Sequence, residues 1–159
     1  MEKQGKATFA AGCFWGVEAS FLATPGVLNA VSGYTGGHLE RPTYERVCEG
    51  TTGHAEAVEV SYNPEKVSYE VLIKKFFALH DPTQMNRHGP DVGEQYRSVI
   101  FYHSPEQKEI AEKVRQELAS QYLPKTIATS IEPASVFWRA EEYHQRYAEK
   151  HPGRVACHI

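Results

Sequence analysis

The sequence predicts an α+β fold, a two-layer α/β sandwich with a mixed sheet flanked by helices and a long irregular C-terminal tail. Segments with the two-residue alternation of strands interleave with amphipathic helical segments along the chain. No internal repeat, low-complexity stretch or interdomain linker separates them. The 159 residues are enough to bury a hydrophobic core. We therefore expect a single domain over residues 1–159.

The first half of the chain predicts three strands and two helices. The strands are apolar or alternating runs that end near glycine or proline turn signals. The second helix begins after the N-cap Ser68, carries apolar residues at helical spacing as far as Leu79 and stops before Pro82. In chain order these elements are a strand at 7–11, a helix at 15–22, strands at 27–34 and 55–62, and a helix from 69 to about 79.

The second half opens with an irregular segment, residues 82–94, of a length that compact domains usually use to bind or cover a site. Ser104, Pro105 and Gln107 then supply an N-cap, a proline in the first turn and a capping-box partner for a long helix. The predicted elements are a strand at 95–103, this helix to about residue 122, a strand at 126–132, a helix from about 139 to 150 and a mobile tail at 151–159.

Composition and charge exclude several partners and locations. The formal net charge is -3 and the isoelectric point is near 6.2, with no basic run, which argues against nucleic acid and anionic membranes as partners. The first six residues lack the apolar segment of a signal peptide, and no apolar run approaches the ~18 residues of a membrane span. We expect a cytoplasmic monomer.

The three cysteines, Cys13, Cys48 and Cys157, form no C-x-x-C pair and are odd in number. This pattern fits neither a secreted disulfide framework nor a paired-cysteine zinc site. The eight histidines show no metal-ligand spacing either. We expect no metal and no cofactor, which leaves nucleophilic or redox chemistry at a thiol.

Cys13 is the strongest candidate for that chemistry. It stands between two glycines, after a predicted strand and at the start of a predicted helix. A helix N-terminus favours the thiolate, and such thiols titrate at roughly pH 3.5 to 7.5 instead of about 8.5. The glycines allow a substrate to approach the backbone closely. The alternative is that Cys13 is a small buried hydrophobic residue.

Two further candidates follow from strand alternation. Glu56 shares a face with Val58 and Val60, so desolvation is expected to raise the pKa of its carboxyl and to make it a general acid. The alternative is a strand-end glutamate paired with a lysine or arginine. In the strand predicted at 95–103, Tyr96 falls on the face of Ile100, where its hydroxyl enters a cavity or is satisfied within the core.

Six sequence blocks then point to one family. They are Gly12-Cys13-Phe14-Trp15-Gly16, Gly33-Tyr34-Thr35-Gly36-Gly37, Pro42-Thr43-Tyr44, Gly53-His54-Ala55-Glu56-Ala57-Val58, His80-Asp81-Pro82-Thr83 and Gln95-Tyr96-Arg97-Ser98. In this order they span nearly the whole chain, which resembles the A-type peptide methionine sulfoxide reductases. The resemblance implies an enzyme that reduces the S epimer of methionine sulfoxide, free or in proteins.

The resemblance also implies roles for individual residues. The Cys13 thiolate attacks the sulfoxide sulfur, and Glu56 delivers a proton to the oxygen. The remaining residues hold the substrate: the hydroxyls of Tyr44 and Tyr96 bind the oxygen, Phe14 and Trp15 form an apolar wall for the S-methyl group, and Asp91 contacts substrate or water.

Regeneration requires a second thiol to condense with a sulfenic acid on Cys13. Cys157 on the predicted tail is the better candidate, because Cys48 has an alternative interpretation as a buried packing cysteine. Many relatives carry longer glycine-rich tails with two recycling cysteines, whereas this sequence ends at Cys157-His158-Ile159. We therefore expect one disulfide, reduced directly by thioredoxin or a similar dithiol protein.

Three other functions were considered. Cys13 with His54 as base would suit a thiol hydrolase, although no local motif supports it. The string His54-Ala55-Glu56 matches the H-x-E of zinc deaminases, but their P-C-x-x-C partner is missing. A module that only binds oxidised methionine predicts that Cys13→Ser retains full biological activity.

Overall fold

A six-stranded mixed sheet organises the fold. The structure is a computed structural model that describes residues 4–85, 87–88 and 91–151, with the backbone alone at 87, 88, 91, 92 and 94. The strands are β1 (Gly5–Ala11), β2 (Val27–Thr35), β3 (Ala55–Tyr62), β4 (Arg87–His88), β5 (Asp91–Val92), β6 (Ser98–Tyr102), β7 (Ser130–Pro133) and β8 (Trp138–Arg139). The helices are α1 (Phe14–Leu22), α2 (Tyr44–Cys48), α3 (Tyr69–Ala78), α4 (Pro105–Ala119) and α5 (Tyr147–Lys150).

The strand order in the sheet is β7-β6-β1-β3-β2-β8, and β4 pairs with β5 in a separate small hairpin. The β6–β7 pair is parallel, and the other pairs of the large sheet are antiparallel. In the β2–β3 pair Tyr34 lies opposite Glu56. The predicted mixed sheet with flanking helices is confirmed.

The main core lies between one face of the sheet and the helices. Phe9 on β1 stacks on Phe21 of α1 at 5.0 Å between ring centroids and on Phe76 of α3 at 5.4 Å. All three rings are completely buried, and each contributes roughly 1.5–3 kcal/mol to folding. The other face of the sheet carries a smaller cluster that includes Phe101, against which Phe137 packs.

Helix caps form where the sequence predicts them. The hydroxyl of Ser68 accepts a hydrogen bond from the amide of Val71, and that of Ser104 accepts one from the amide of Gln107. The side chain of Gln107 accepts from the amide of His103 at 2.9 Å, one residue before the N-cap amide that a capping box uses. Each cap contributes about 1 kcal/mol. In the described part of the chain no helix has the length and apolar character to cross a membrane.

The strand predicted at 95–103 starts later than expected. Residues Glu94–Tyr96 form a 3₁₀ turn after Gly93, whose φ of 142° favours glycine, and β6 begins only at Ser98. The alternation argument for Tyr96 is therefore wrong, because the residue lies outside the strand. The strand predicted at 126–132 is likewise confined to Ser130–Pro133.

The helix predicted over about 139–150 is wrong. Residues 138–150 instead form β8, a 3₁₀ turn at Glu142–His144, a left-handed residue at Arg146 with φ 52° and the four-residue α5. The reason is Gln145, whose side chain accepts from the amide of Ser32 and donates to the carbonyl of Ser32 and to that of Ala140. These hydrogen bonds attach the segment to β2 and override helical propensity. Of the tail predicted at 151–159, residues 152–159 lie outside the described residues.

Candidate active site

Cys13 lies at the junction between the central strand β1 and α1. Gly12 has a φ of 90°, which only glycine adopts without strain, and it turns the chain from the strand into the helix. Cys13 occupies the N-cap position of α1 and is 9% exposed. Its sulfur thus lies at the positive end of the helix dipole, where the thiolate is favoured.

Glu56 reaches the same helix end from β3. Its Oε1 atom accepts a hydrogen bond from the backbone N–H of Phe14 at 3.2 Å. The side chain is on the face of Val58 and Val60, as the alternation predicts, and Glu56 is only 1% exposed. Glu59 lies on the opposite face and forms an ion pair with Lys6. A buried carboxyl is therefore brought within one residue of the candidate nucleophile.

Tyr44 is held in place by Glu141. The backbone N–H of Tyr44 donates to Glu141 Oε2 at 2.9 Å, and the hydroxyl of Tyr34 donates to Oε1 at 2.8 Å. Burial opposes ionisation of Glu141, but these hydrogen bonds outweigh it and lower the pKa of the carboxyl below its usual range. Glu141 is thus an ionised anchor for the start of α2.

The Tyr44 hydroxyl remains protonated at physiological pH. Burial raises its pKa most, and the nearby Glu56, Cys48 and Tyr96 raise it further. Glu56, Cys48 and Tyr96 are therefore each close enough to Tyr44 to influence the ionisation of its hydroxyl. Tyr96 belongs to the 3₁₀ turn before β6, where its amide donates to the carbonyl of Gly93 at 3.0 Å.

Aromatic rings surround the start of α1. The Phe14 ring is 5.7 Å from that of Tyr34 and 6.4 Å from that of Tyr44, measured between centroids. Trp15 stacks on Tyr147 of α5 at 3.8 Å with an interplanar angle of 8°. Phe14 is 1% exposed, whereas Trp15 is half-buried.

His144 was not among the sequence candidates, yet it lies within this aromatic group. Its Nδ1 atom accepts a hydrogen bond from Trp15 Nε1 at 2.9 Å, and its ring contacts that of Tyr44 at 4.4 Å between centroids. Glu141 was also not among the sequence candidates, and the reason is the same for both residues. Both fall in the segment assigned to a helix, so the direction of their side chains could not be predicted.

Cys48 is not the buried packing cysteine that one interpretation of the sequence favoured. It is exposed at the end of α2, one helical turn after Tyr44. Desolvation of the thiol raises its pKa, hydrogen bonding to the Tyr44 hydroxyl lowers it, and Glu56 and Glu141 raise it, so that the net shift is upward. The Cys48 thiol is therefore less ionised, and a weaker nucleophile, than an ordinary one.

The side chains of two predicted site residues, Asp91 and Cys157, lie outside the part of the chain that the structure describes. Asp91 lies on β5, described by its backbone alone, and Cys157 lies outside the described residues.

Helix α2, which carries Tyr44, was not predicted from the sequence. The hydroxyl of Thr43 accepts from the amide of Arg46, so the N-cap at Thr43 was the available signal.

The structure argues against His54 as a base for Cys13. Its Nδ1 atom accepts from the amide of Gly37 at 3.0 Å, and Nε2 lies 2.7 Å from the carbonyl of Leu39. Both ring nitrogens therefore bind backbone groups. Across the described ranges, no group of three or more histidine, cysteine, aspartate or glutamate side chains could hold a metal ion.

The chain is similar in sequence to known proteins over nearly its whole length. Residues 5–159 match the family model described as peptide methionine sulfoxide reductase. The peptide methionine sulfoxide reductase MsrA of Acidobacterium capsulatum is 58% identical over 155 residues, which are 97% of this chain and 99% of the relative. The MsrA of Methanothermobacter thermautotrophicus is 57% identical over 160 residues, covering 100% of this chain and 94% of the relative.

Solved structures agree. Reduced Mxr1 of Saccharomyces cerevisiae has a TM-score of 0.92 at 40% identity, covering 98% of this chain and 90% of that protein. Methionine sulfoxide reductase A of Corynebacterium diphtheriae has a TM-score of 0.83 at 38% identity, with 98% and 82% covered. Mxr1 in complex with Trx2 has a TM-score of 0.66 at 31% identity, with 92% and 86% covered.

Proposed function

This chain belongs to the peptide methionine sulfoxide reductase family, and from that premise we propose that Cys13 reduces the S epimer of methionine sulfoxide, free or in proteins. Methionine sulfoxide and a dithiol are converted to methionine, a disulfide and water. The oxygen passes first to the Cys13 sulfur as a sulfenic acid, and thioredoxin supplies the final dithiol.

The observation that carries the proposal is the meeting of Cys13 and Glu56 at the start of α1, joined through the Phe14 amide. A sulfoxide sulfur is a weak electrophile until its oxygen is protonated. The reaction therefore needs a nucleophile and an acid close together. The thiolate attacks sulfur as the Glu56 carboxyl delivers its proton to oxygen, the bond between sulfur and oxygen in the substrate breaks, and methionine leaves.

The hydroxyls of Tyr44 and Tyr96 stabilise the oxygen as negative charge develops on it. Support for this role comes from Tyr44, which burial keeps protonated and able to donate. Preorganised donors of this kind contribute about 2.7–4 kcal/mol each when they are aimed at the developing charge. Asp91 completes the polar side of the pocket as a contact to substrate or water.

Phe14 and Trp15 form the apolar side, which receives the S-methyl group. The tetrahedral arrangement at a sulfoxide sulfur places methyl, oxygen and side chain on different directions. One epimer alone can therefore put its methyl against these rings and its oxygen against Tyr44 and Glu56. Stereochemical selection follows from the shape of the pocket.

Recycling uses Cys157. Its thiol attacks the sulfenic sulfur of Cys13, water leaves, and a Cys13–Cys157 disulfide forms. The complex of the yeast relative with Trx2 supports thioredoxin as the reductant. The raised pKa of the Cys48 thiol makes Cys48 a weaker candidate for this step.

The test is to incubate the protein with each purified sulfoxide epimer, thioredoxin and thioredoxin reductase. The methionine formed and the titratable thiols are measured in the same sample. We expect turnover of the S epimer, and two thiols lost per methionine in the absence of thioredoxin. Equal turnover of both epimers would exclude the proposed selectivity. Methionine formation without loss of thiols would exclude the disulfide mechanism.

A further inference from the structure

His144 has no role in the chemistry proposed so far, although it is completely buried among the rings of the site. An indole N–H can only donate, so the hydrogen bond from Trp15 Nε1 at 2.9 Å requires a lone pair on His144 Nδ1. The imidazole is therefore neutral with its proton on Nε2. Burial lowers the pKa of His144 and thereby supports the neutral form.

The cost of placing a histidine here indicates what it supplies. Among the described residues His144 Nε2 has no hydrogen-bond partner, and a buried donor without a partner is destabilising. A leucine or phenylalanine would fill the same apolar space without that cost. The property that an apolar residue lacks is the acceptor at Nδ1, which binds the Trp15 indole.

That acceptor restricts a motion of the Trp15 ring that stacking on Tyr147 permits. The parallel contact with Tyr147, 3.8 Å between centroids, sets the plane of the Trp15 ring. It does not prevent the indole from sliding or turning within that plane. The bond to His144 holds one edge of the indole and so determines which part of the ring faces the substrate.

His144 also contacts both Trp15 and Tyr44. The Trp15 and Tyr44 rings are 6.5 Å apart, and His144 contacts them at 5.6 Å and 4.4 Å between centroids. One side chain thus contacts the proposed methyl wall and a proposed oxygen donor. The three rings therefore form one contiguous aromatic group.

We infer that His144 is a positioning residue that sets the orientation of Trp15 through its Nδ1 acceptor, and thereby the size of the methyl subsite. The subsite in this inference rests on the proposed function. Two substitutions separate the acceptor from the volume. His144→Leu removes the acceptor and keeps an apolar side chain, whereas His144→Asn keeps a carbonyl oxygen near the position of Nδ1.

The first readout requires no substrate. Trp15 and Trp138 are the two tryptophans of the sequence, so a ¹H–¹⁵N spectrum contains two indole signals, and Trp138 serves as the internal control. We expect His144→Leu to shift the Trp15 indole signal upfield and to speed its hydrogen exchange about ten-fold, whereas His144→Asn preserves both. An unshifted Trp15 signal in a folded His144→Leu variant would overturn the inference.

The second readout compares methyl and ethyl sulfoxides of the S configuration. We expect His144→Leu to lower kcat/KM for the methyl substrate about ten-fold, mainly through KM, and to narrow its preference over the ethyl substrate. His144→Asn should restore that preference. Equal loss in both variants would assign the effect to volume and overturn the acceptor role. Inactivity of the unmodified protein would contradict the proposed function, while the indole signals still decide the Trp15–His144 bond.

Discussion

The side chain of Glu56 accepts a hydrogen bond from the backbone N–H of Phe14 at 3.2 Å, although 42 positions separate them in the sequence. The first amides of a helix have no partner within the helix and are usually satisfied by a nearby cap or by water. Here a buried carboxyl from the adjacent β3 strand serves one of them. The contact fixes Glu56 relative to the residue that follows Cys13, so helix capping and acid placement are the same interaction.

Glu56→Gln separates these two functions. Glutamine retains an oxygen that can accept from the Phe14 amide, but it cannot transfer a proton. We expect the rate of methionine formation in a single turnover to fall about 10²–10⁴-fold, with a much smaller change in substrate affinity. The measurement is rapid-quench kinetics between pH 5 and 9. Glu59→Gln, on the opposite face of β3, is the matched control, and an unaltered rate at every pH would exclude Glu56 as the acid.

Cys13→Ser should abolish methionine formation from the S sulfoxide. Serine is a preferred N-cap residue, so the stability of the variant in urea should equal or exceed that of the unmodified protein. Loss of activity with a retained fold then assigns the loss to the nucleophile. Substantial turnover by this variant would mean that another group attacks the sulfoxide.

Cys157→Ser and Cys48→Ser distinguish the two candidate resolving thiols. With Cys157 replaced, one equivalent of methionine should form and a sulfenic acid should accumulate on Cys13, but thioredoxin should not sustain turnover. Cys48→Ser should cycle normally. Trapping with a sulfenic-acid reagent followed by mass spectrometry measures the sulfenic acid on Cys13, and turnover with thioredoxin measures cycling. Normal cycling without Cys157 would transfer its role to Cys48.

Glu141 should make the fold sensitive to acid. Its pKa is lower in the folded protein than the ordinary value of 4.5, so its contribution to stability is present above that pH and is lost as the pH falls through the lowered pKa. Glu141→Gln should reduce stability at pH 7 by roughly 1 kcal/mol and flatten the loss of stability below about pH 4.5. Urea unfolding at pH 7 and pH 4 measures the difference. An acid dependence of stability identical to that of the unmodified protein would show that the hydrogen bonds from Tyr34 and Tyr44 do not lower the pKa of Glu141.

Local signals in the sequence were sufficient for much of this site. The alternation of β3 places Glu56 on the apolar face, and the strand-to-helix junction places Cys13 at a helix N-terminus. The caps at Ser68 and Ser104 likewise depend on a few adjacent residues. In each case the structure satisfies a rule that operates within one or two turns of chain.

The parts that could not be predicted depend on distant partners. Gln145 binds Ser32 across 113 positions, and this contact stops a helix from forming in the segment that holds Glu141 and His144. Their roles appear only when that segment packs against Tyr44 and Trp15. Tyr96 was expected in a strand, but the turn at Gly93 delays β6 and leaves this residue in a 3₁₀ turn.

The position of β1 between β3 and β6 has a consequence for partial unfolding. Amides in a strand with neighbours on both sides exchange with solvent only during the largest unfolding events, whereas short edge strands such as β8 fray readily. Cys13 follows two residues after the end of this doubly flanked strand, separated from it by Gly12. A molecule whose edge strands have frayed is therefore expected to keep Cys13 and Glu56 together, because β1 pairs directly with β3.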